Sequence, residues 1–187
     1  MNYGPDQPEY NAILLHLGQA VALSGDYQTA VDMFRQYLGV QAGMPMLPTL
    51  SRAVALAELG RVYAQLHKFE EARSWFDQAL WTLKGNPDGA PLIQSLVFSY
   101  LGDFYMDQGD WRNAQSEYRE ALRIQQIVLG ENRTVASSML LLAKALRKLH
   151  LKGQAKDLEA HANAILAAAA ENPARGRTVD VVALRRQ

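Results

Sequence analysis

"GDYQTA" (Gly25–Ala30), "HKFEEA" (His67–Ala72) and "GDWRNA" (Gly109–Ala114) begin at intervals of 42 residues. Each places an aromatic two residues after its start, at Tyr27, Phe69 and Trp111, and an alanine three further on. Glycine permits the left-handed turn that ends a helix, and the aspartate after it, Asp26 or Asp110, is a good N-cap for the next helix. The three stretches therefore read as hinges of a repeated unit.

Working outward, "HLGQAV", "ELGRVY" and "YLGDFY" anchor each unit on Gly18, Gly60 and Gly102, and "LLAKAL" supplies Ala143 as a fourth. Leu17, Leu59, Leu101 and Leu142 precede the anchors. Val21, Tyr63, Tyr105 and Leu146 follow three residues on, and Phe34, Phe76 and Tyr118 sixteen on. The fourth unit keeps Ala155 but has Lys152 and Glu159 where aromatics stand elsewhere, a polar departure that suits the terminal unit of a stack. Within each unit apolar residues recur three and four apart, the period of a helix face.

The spacing predicts helix–turn–helix pairs at 8–24 and 27–41, 49–66 and 69–84, 91–108 and 111–129, and 134–149 and 152–170. The small anchor lets the paired helices approach closely, and the aromatics fill the gap. "GMPMLP" (Gly43–Pro48), "KGNPDGAP" (Lys84–Pro91) and "LGENRT" (Leu129–Thr134) are rich in helix breakers and separate the units. One hairpin cannot bury so many apolar residues, whereas stacked hairpins can. The expected domain is 1–170, with repeats at about 8–42, 49–84, 91–129 and 134–170. A tail follows at 171–187, whose 174–187 portion reads equally as disorder, a short strand or a ninth helix.

This pattern resembles the tetratricopeptide repeat, whose usual unit is about 34 residues. The longer unit here is similar to the kinesin-light-chain type, widespread in bacterial repeat proteins. "ALRIQQIVLGENRTVASSMLLLAKAL" (Ala121–Leu146) carries that likeness best. The resemblance covers residues 11–166 and implies an all-α, right-handed superhelical solenoid of four repeats. It further implies that the first helix of each pair lines a concave groove.

Carried over by position, the groove residues are Leu15, Gln19, Ala22 and Leu23, then Ala57, Arg61, Ala64 and Gln65. Ser99, Asp103, Met106 and Asp107 follow, and then Leu140, Lys144, Arg147 and Lys148. Of these, Gln19, Arg61, Gln65, Asp103, Met106, Asp107, Lys144, Arg147 and Lys148 are the candidate peptide contacts. The Lys/Asn carboxylate clamp of chaperone-binding relatives would need Lys and Asn at Leu15 and Gln19, so it is absent. The asparagine pairs of the kinesin-light-chain type are replaced by Ser99 and Tyr100 and by Leu140 and Leu141.

Composition narrows the function. The 187 residues carry 19 basic and 19 acidic side chains and no cysteine. Zero net charge argues against a nucleic-acid binder, and the lack of cysteine excludes thiolate chemistry and disulfides. His16, His67, His150 and His161 lack metal-ligand spacing, and no nucleophile, phosphate-loop or dinucleotide motif occurs. No metal, cofactor or catalytic residue is expected. Glu70 and Glu71 suit the N-terminus of a helix. Trp75 and Trp81 are open between core, interface and exposed patch. No apolar run reaches the ~20 residues of a membrane span. "MNYGPDQPEY" lacks the basic start of a secretory leader, so a cytoplasmic location is expected, or a periplasmic one if the true N-terminus is missing.

The expected activity is a non-enzymatic adaptor or scaffold that binds a protein or peptide in its groove. Sensing of a small peptide and assembly by self-association are the alternatives. Lys144, Arg147 and Lys148 suggest an acidic partner segment. Asp103 and Asp107 are candidates to neutralise Lys144 and Lys148, which would leave Arg147 available for a carboxylate. Charge also divides along the chain: residues 1–143 are net −5 and residues 144–187 net +5. Asp6, Glu9, Asp26 and Asp32 near one end face Lys152, Lys156, Arg175 and Arg177 near the other as groups that could steer end-to-end association.

Overall fold

The computed structural model describes residues 8–42, 49–84 and 90–171, which form eight helices and no strand. These are α1 (Pro8–Leu23), α2 (Tyr27–Ala42), α3 (Thr49–Gln65), α4 (Phe69–Lys84), α5 (Pro91–Asp107), α6 (Trp111–Leu129), α7 (Arg133–Lys148) and α8 (Lys152–Glu171). Their ends fall within one residue of those expected from periodicity. The breaker-rich loop at 43–48, most of that at 84–91 and the tail at 174–187 lie outside the described residues. The chain divides into two compact units, 1–104 and 105–187, with the boundary inside α5.

The hinges explain why the helices stop where they do. Gly25 and Gly109 have φ of 89° and 75°. His67 and His150 occupy the same turn position and take the same left-handed conformation, at 57° and 62°. The turn therefore survives without glycine. Its hydrogen bonds hold it: Lys68 N donates to Tyr63 O at 3.0 Å, Asp110 N to Tyr105 O at 2.9 Å and Leu151 N to Leu146 O at 2.9 Å. This paired closure satisfies carbonyls that a helix end would otherwise leave open. The aspartates cap the following helices, Asp26 accepting from Thr29 N and Asp110 from Asn113 N, each at 3.2 Å. Asn132 caps α7 by accepting from Val135 N at 3.0 Å.

In unit 1 the anchor glycines are contact points. A Cβ on Gly18 would lie 2.8 Å from Phe34, and one on Gly60 only 2.6 Å from two carbons of Phe76. Both rings are fully buried. Only hydrogen at the anchor lets α1 lie against α2, and α3 against α4, with a ring between. Phe104 of α5 closes this core edge-on against Phe69 and Phe76, with ring centroids 6.0 and 5.9 Å away. Trp75 is partly buried and leans on Tyr63, whereas Trp81 is 77% exposed.

Unit 2 builds its core from Met106, Tyr118, Leu122, Met139, Leu142 and Leu146, with alanines at 114, 143, 155 and 162 allowing close approach. Its anchor is Ala143, a residue with a Cβ, and the position sixteen on is Glu159. No ring occupies that position, so the anchor need not be glycine.

The first helix differs from its counterparts on one face. Leu17 is 44% exposed, although Leu59, Leu101 and Leu142 at the same register are exposed by 3% or less. Ile13 is likewise exposed where Ala55, Val97 and Ser138 are buried. Helices α3 and α7 each pack on the helix before them, α2 and α6. Helix α1 has no predecessor among the described residues, so a face built for stacking meets solvent.

Candidate binding groove

Three first helices, α1, α3 and α5, converge in unit 1 on one buried carboxylate. Glu58 lies in the apolar run "AVALAELG" (Ala53–Gly60) of α3 and is 3% exposed. A buried charge is costly unless fully hydrogen-bonded. Gln19 Nε2 of α1 donates to its Oε1 at 3.1 Å, and the Tyr100 hydroxyl of α5 donates to the same oxygen at 3.0 Å. Arg61, one turn on in α3, donates Nε to Oε2 at 2.8 Å and brings Nη2 to 2.7 Å. Its guanidinium also lies over the Tyr100 ring, 5.7 Å from the centroid. Burial, and then the neighbouring Glu58 charge, push the Tyr100 hydroxyl well above its ordinary range, so it stays protonated and remains a donor.

The network follows the repeat register. Gln19 and Arg61 each stand one residue after an anchor, and Glu58 and Tyr100 each stand two before one. The residue after an anchor thus meets the residue two before the next anchor. Gln19 is further held by His16, whose Nδ1 is 3.3 Å from Gln19 Oε1. Gln65 is exposed near the turn end of α3, with the Tyr27 hydroxyl 3.5 Å from its Oε1.

Of the expected groove residues, Gln19 and Arg61 are brought together through Glu58 and Tyr100, which the sequence had not singled out. The signal was a lone acidic residue inside an apolar run, but two of its partners, Gln19 and Tyr100, come from helices about 40 residues away. Asp103 and Asp107 are exposed. Met106 is buried in the unit 2 core and offers a ligand little surface. Leu15, Ala22, Ala57 and Ala64 are buried as well.

On α7 Arg147 already has a partner. It forms a two-pronged ion pair with Glu159 of α8, Nε to Oε1 at 2.6 Å and Nη2 to Oε2 at 2.5 Å. Glu159 stands where the other units carry an aromatic, and its carboxylate matches the planar guanidinium fork. That bond holds the Glu159 carboxyl below its ordinary range and raises Arg147. Lys148 is placed over the Trp111 ring, 5.3 Å from its centroid, where the π face attracts the ammonium. Lys144 is exposed.

Among the described residues no group of three or more His, Asp or Glu side chains is placed to hold a metal. His161 instead meets Glu131 at 2.9 Å. No helix among them is long and apolar enough to cross a membrane.

Hairpins of this kind, repeated with a small anchor and a capped turn, define an all-α helical repeat solenoid. Family models of the tetratricopeptide repeat match residues 55–90 and 94–168, between them more than half of the chain. The chain belongs to the tetratricopeptide-repeat family. In fold it is similar to BtubC (BKLC) from P. vanneervenii, at 21% identity and a TM-score of 0.75, over 96% of this chain and 72% of that one. It is also similar to a Podosopora anserina kinesin-light-chain protein with nearly identical TPR-like repeats, at 23% identity and a TM-score of 0.66, over 91% and 81% of the two chains. The kinesin-light-chain likeness expected from the repeat is therefore present in the fold. No curated protein matches the chain in sequence. Tetratricopeptide repeats generally serve as protein–protein interaction modules and are generally not catalytic.

Proposed function

We propose that this protein is an adaptor or scaffold that binds a segment of a partner protein along the face of its first helices. The observation that supports this most is the Gln19–Glu58–Arg61–Tyr100 network. It ties three consecutive first helices together and fixes their polar side chains before any partner arrives. A preformed face loses little side-chain entropy on binding, so more of the contact energy becomes affinity. Exposed Lys144 and Lys148 favour an acidic segment, while Arg147, already paired with Glu159, is a weaker candidate contact.

The test is affinity capture from native lysate, followed by titration of the captured protein against variants. Gln65→Ala and Lys144→Glu should each weaken binding, the latter less at high salt. Arg73→Glu on α4 should not. Equal affinities for all of them would place the binding surface elsewhere.

The exposed Ile13 and Leu17 face favours a second reading, self-association with another copy of this chain. The same register is buried in every other unit, and α3 and α7 pack on the preceding repeats of this very sequence, so a second copy offers surfaces of the right kind. Sedimentation should then show a dimer that Leu17→Glu dissolves; a monomer at high concentration would reject it.

A further inference from the structure

A stack of hairpins stays in solution when its last helix is polar where a further hairpin would dock. Helix α8 meets that condition. Second helices touch the following first helix through the residues nine and sixteen after the anchor. Phe69 and Phe76 do so against Phe104, and Trp111 does so under Lys148. In α8 those two places hold Lys152, which is exposed, and Glu159, which is already paired with Arg147.

Helix α1 has no such finish. From Tyr10 to Gly25 the sequence contains no Asp, Glu, Lys or Arg. First helices touch the preceding second helix through the residues two and five after the anchor. Phe104 does so on Phe69 and Phe76, Gln65 on the Tyr27 hydroxyl and Lys148 on Trp111. The same places in α1 are Ala20 and Leu23, both exposed, and Ile13 and Leu17 extend the face toward the helix N-terminus. Leu23 departs most from its register. Its counterparts Gln65, Asp107 and Lys148 are polar, yet α1, with no helix before it among the described residues, carries a leucine that is 81% exposed. An uncharged apolar stripe on a helix surface marks a site of association.

The stripe selects its occupant by charge. Helix α8 of a second copy is a poor match, because docking there would bury Lys152 against a helix that offers no carboxylate. The α1 of a second copy is a good one. A two-fold axis at the level of Gly18, midway between Ile13 and Leu23, lays the stripe antiparallel on itself. The two copies of Leu17 then face each other, and each Ile13 meets Leu23 of the other copy. We infer that the α1 face is a self-complementary surface that pairs two copies of this chain across a two-fold axis. This pairing rests on the self-association reading above and adds which surfaces meet and with what symmetry. It closes at two copies, whereas α1 on α8 would propagate. One helix face is smaller than the roughly 800 Å² per partner of a standard interface, so the dimer is weak and depends on concentration.

The test is sedimentation equilibrium of the full chain from micromolar to millimolar concentration. Wild type should show a reversible monomer–dimer equilibrium that stops at the dimer. Leu17→Glu and Leu17→Lys should each raise the dissociation constant about a hundredfold, since each charge enters the interface twice. An equimolar mixture of the two should associate at least about tenfold more tightly than either alone, because opposite charges then face each other across the axis. Lys152→Glu should change nothing. Circular dichroism checks that the variants keep their helices, and Leu23→Glu, at a more exposed place, replaces any Leu17 variant that does not. No recovery in the mixture, growth beyond the dimer, or a dimer weakened by Lys152→Glu would overturn the two-fold pairing and leave self-association standing. A wild-type monomer at every concentration, or a dimer indifferent to both Leu17→Glu and Leu23→Glu, would refute both.

Discussion

Gly60→Ala sets two physical effects against each other. In an exposed helix interior the change gains up to ~1 kcal/mol, because alanine is the better helix former. At Gly60 the new methyl would meet Phe76 Cδ1 and Cε1 at 2.6 Å and Cγ at 2.9 Å. Carbon contacts are optimal at about 3.5–4.0 Å, so roughly 1 Å of overlap must be relieved. The Phe76 ring is fully buried and itself packs on Phe104, so relief requires α3 and α4 to move apart. Overpacking of this kind typically costs ~1–3 kcal/mol, and three overlapping ring atoms favour the upper end. The net expectation is a loss of about 2 kcal/mol. Gly39→Ala on α2 is the control, since its Cβ would meet nothing within 4 Å; it should gain ~0.5–1 kcal/mol. Urea denaturation followed by helical circular dichroism reads both, as midpoint shifts at unchanged slope. Phe76→Leu should cost less in the Gly60→Ala background than in wild type, a coupling of about 1 kcal/mol or more. A Gly60→Ala protein more stable than wild type would show that the anchor is not a close-approach point and would refute the packing account.

Other expectations can be checked in the same way. Tyr100 holds its proton above its ordinary pKa of 10.0, so the folded state keeps a proton that the unfolded chain releases. Its contribution is whole below pH 10 and is lost as pH rises further; wild type should lose up to about 1.4 kcal/mol per pH unit more than Tyr100→Phe there. Equal alkaline slopes would contradict the buried hub. The Glu159 carboxyl, followed by NMR, should titrate below the usual range and return to it in Arg147→Ala; its contribution is present above the unfolded carboxyl pKa and disappears as pH falls through the folded one. His150 sits at φ 62°, so His150→Val should cost ~1–2 kcal/mol while His150→Gly changes stability little. A well-tolerated valine would mean that the turn relaxes.

Much of this protein is written in sequence order. The recurrence of Gly18, Gly60, Gly102 and Ala143, with a ring sixteen residues on in three of the four, set the helix pairs and their hinges. Those features act over one helix or one turn, where period and capping are local. Lys144, Arg147 and Lys148 were also legible as a cationic cluster, but their compensation was not. Glu159 belongs to the next helix, and only the packing of α8 against α7 brings it to Arg147. The groove shows the same division. Glu58 in an apolar run announced something buried, but only the stacking of α1, α3 and α5 supplies Gln19 and Tyr100 to satisfy it. Asn11 of α1 could be lined up with Ala53 and Ala136 by counting from the anchors. That its buried amide has no hydrogen-bond partner is a property of the packed helices, because satisfaction of a polar group is decided in three dimensions and leaves no period in the chain.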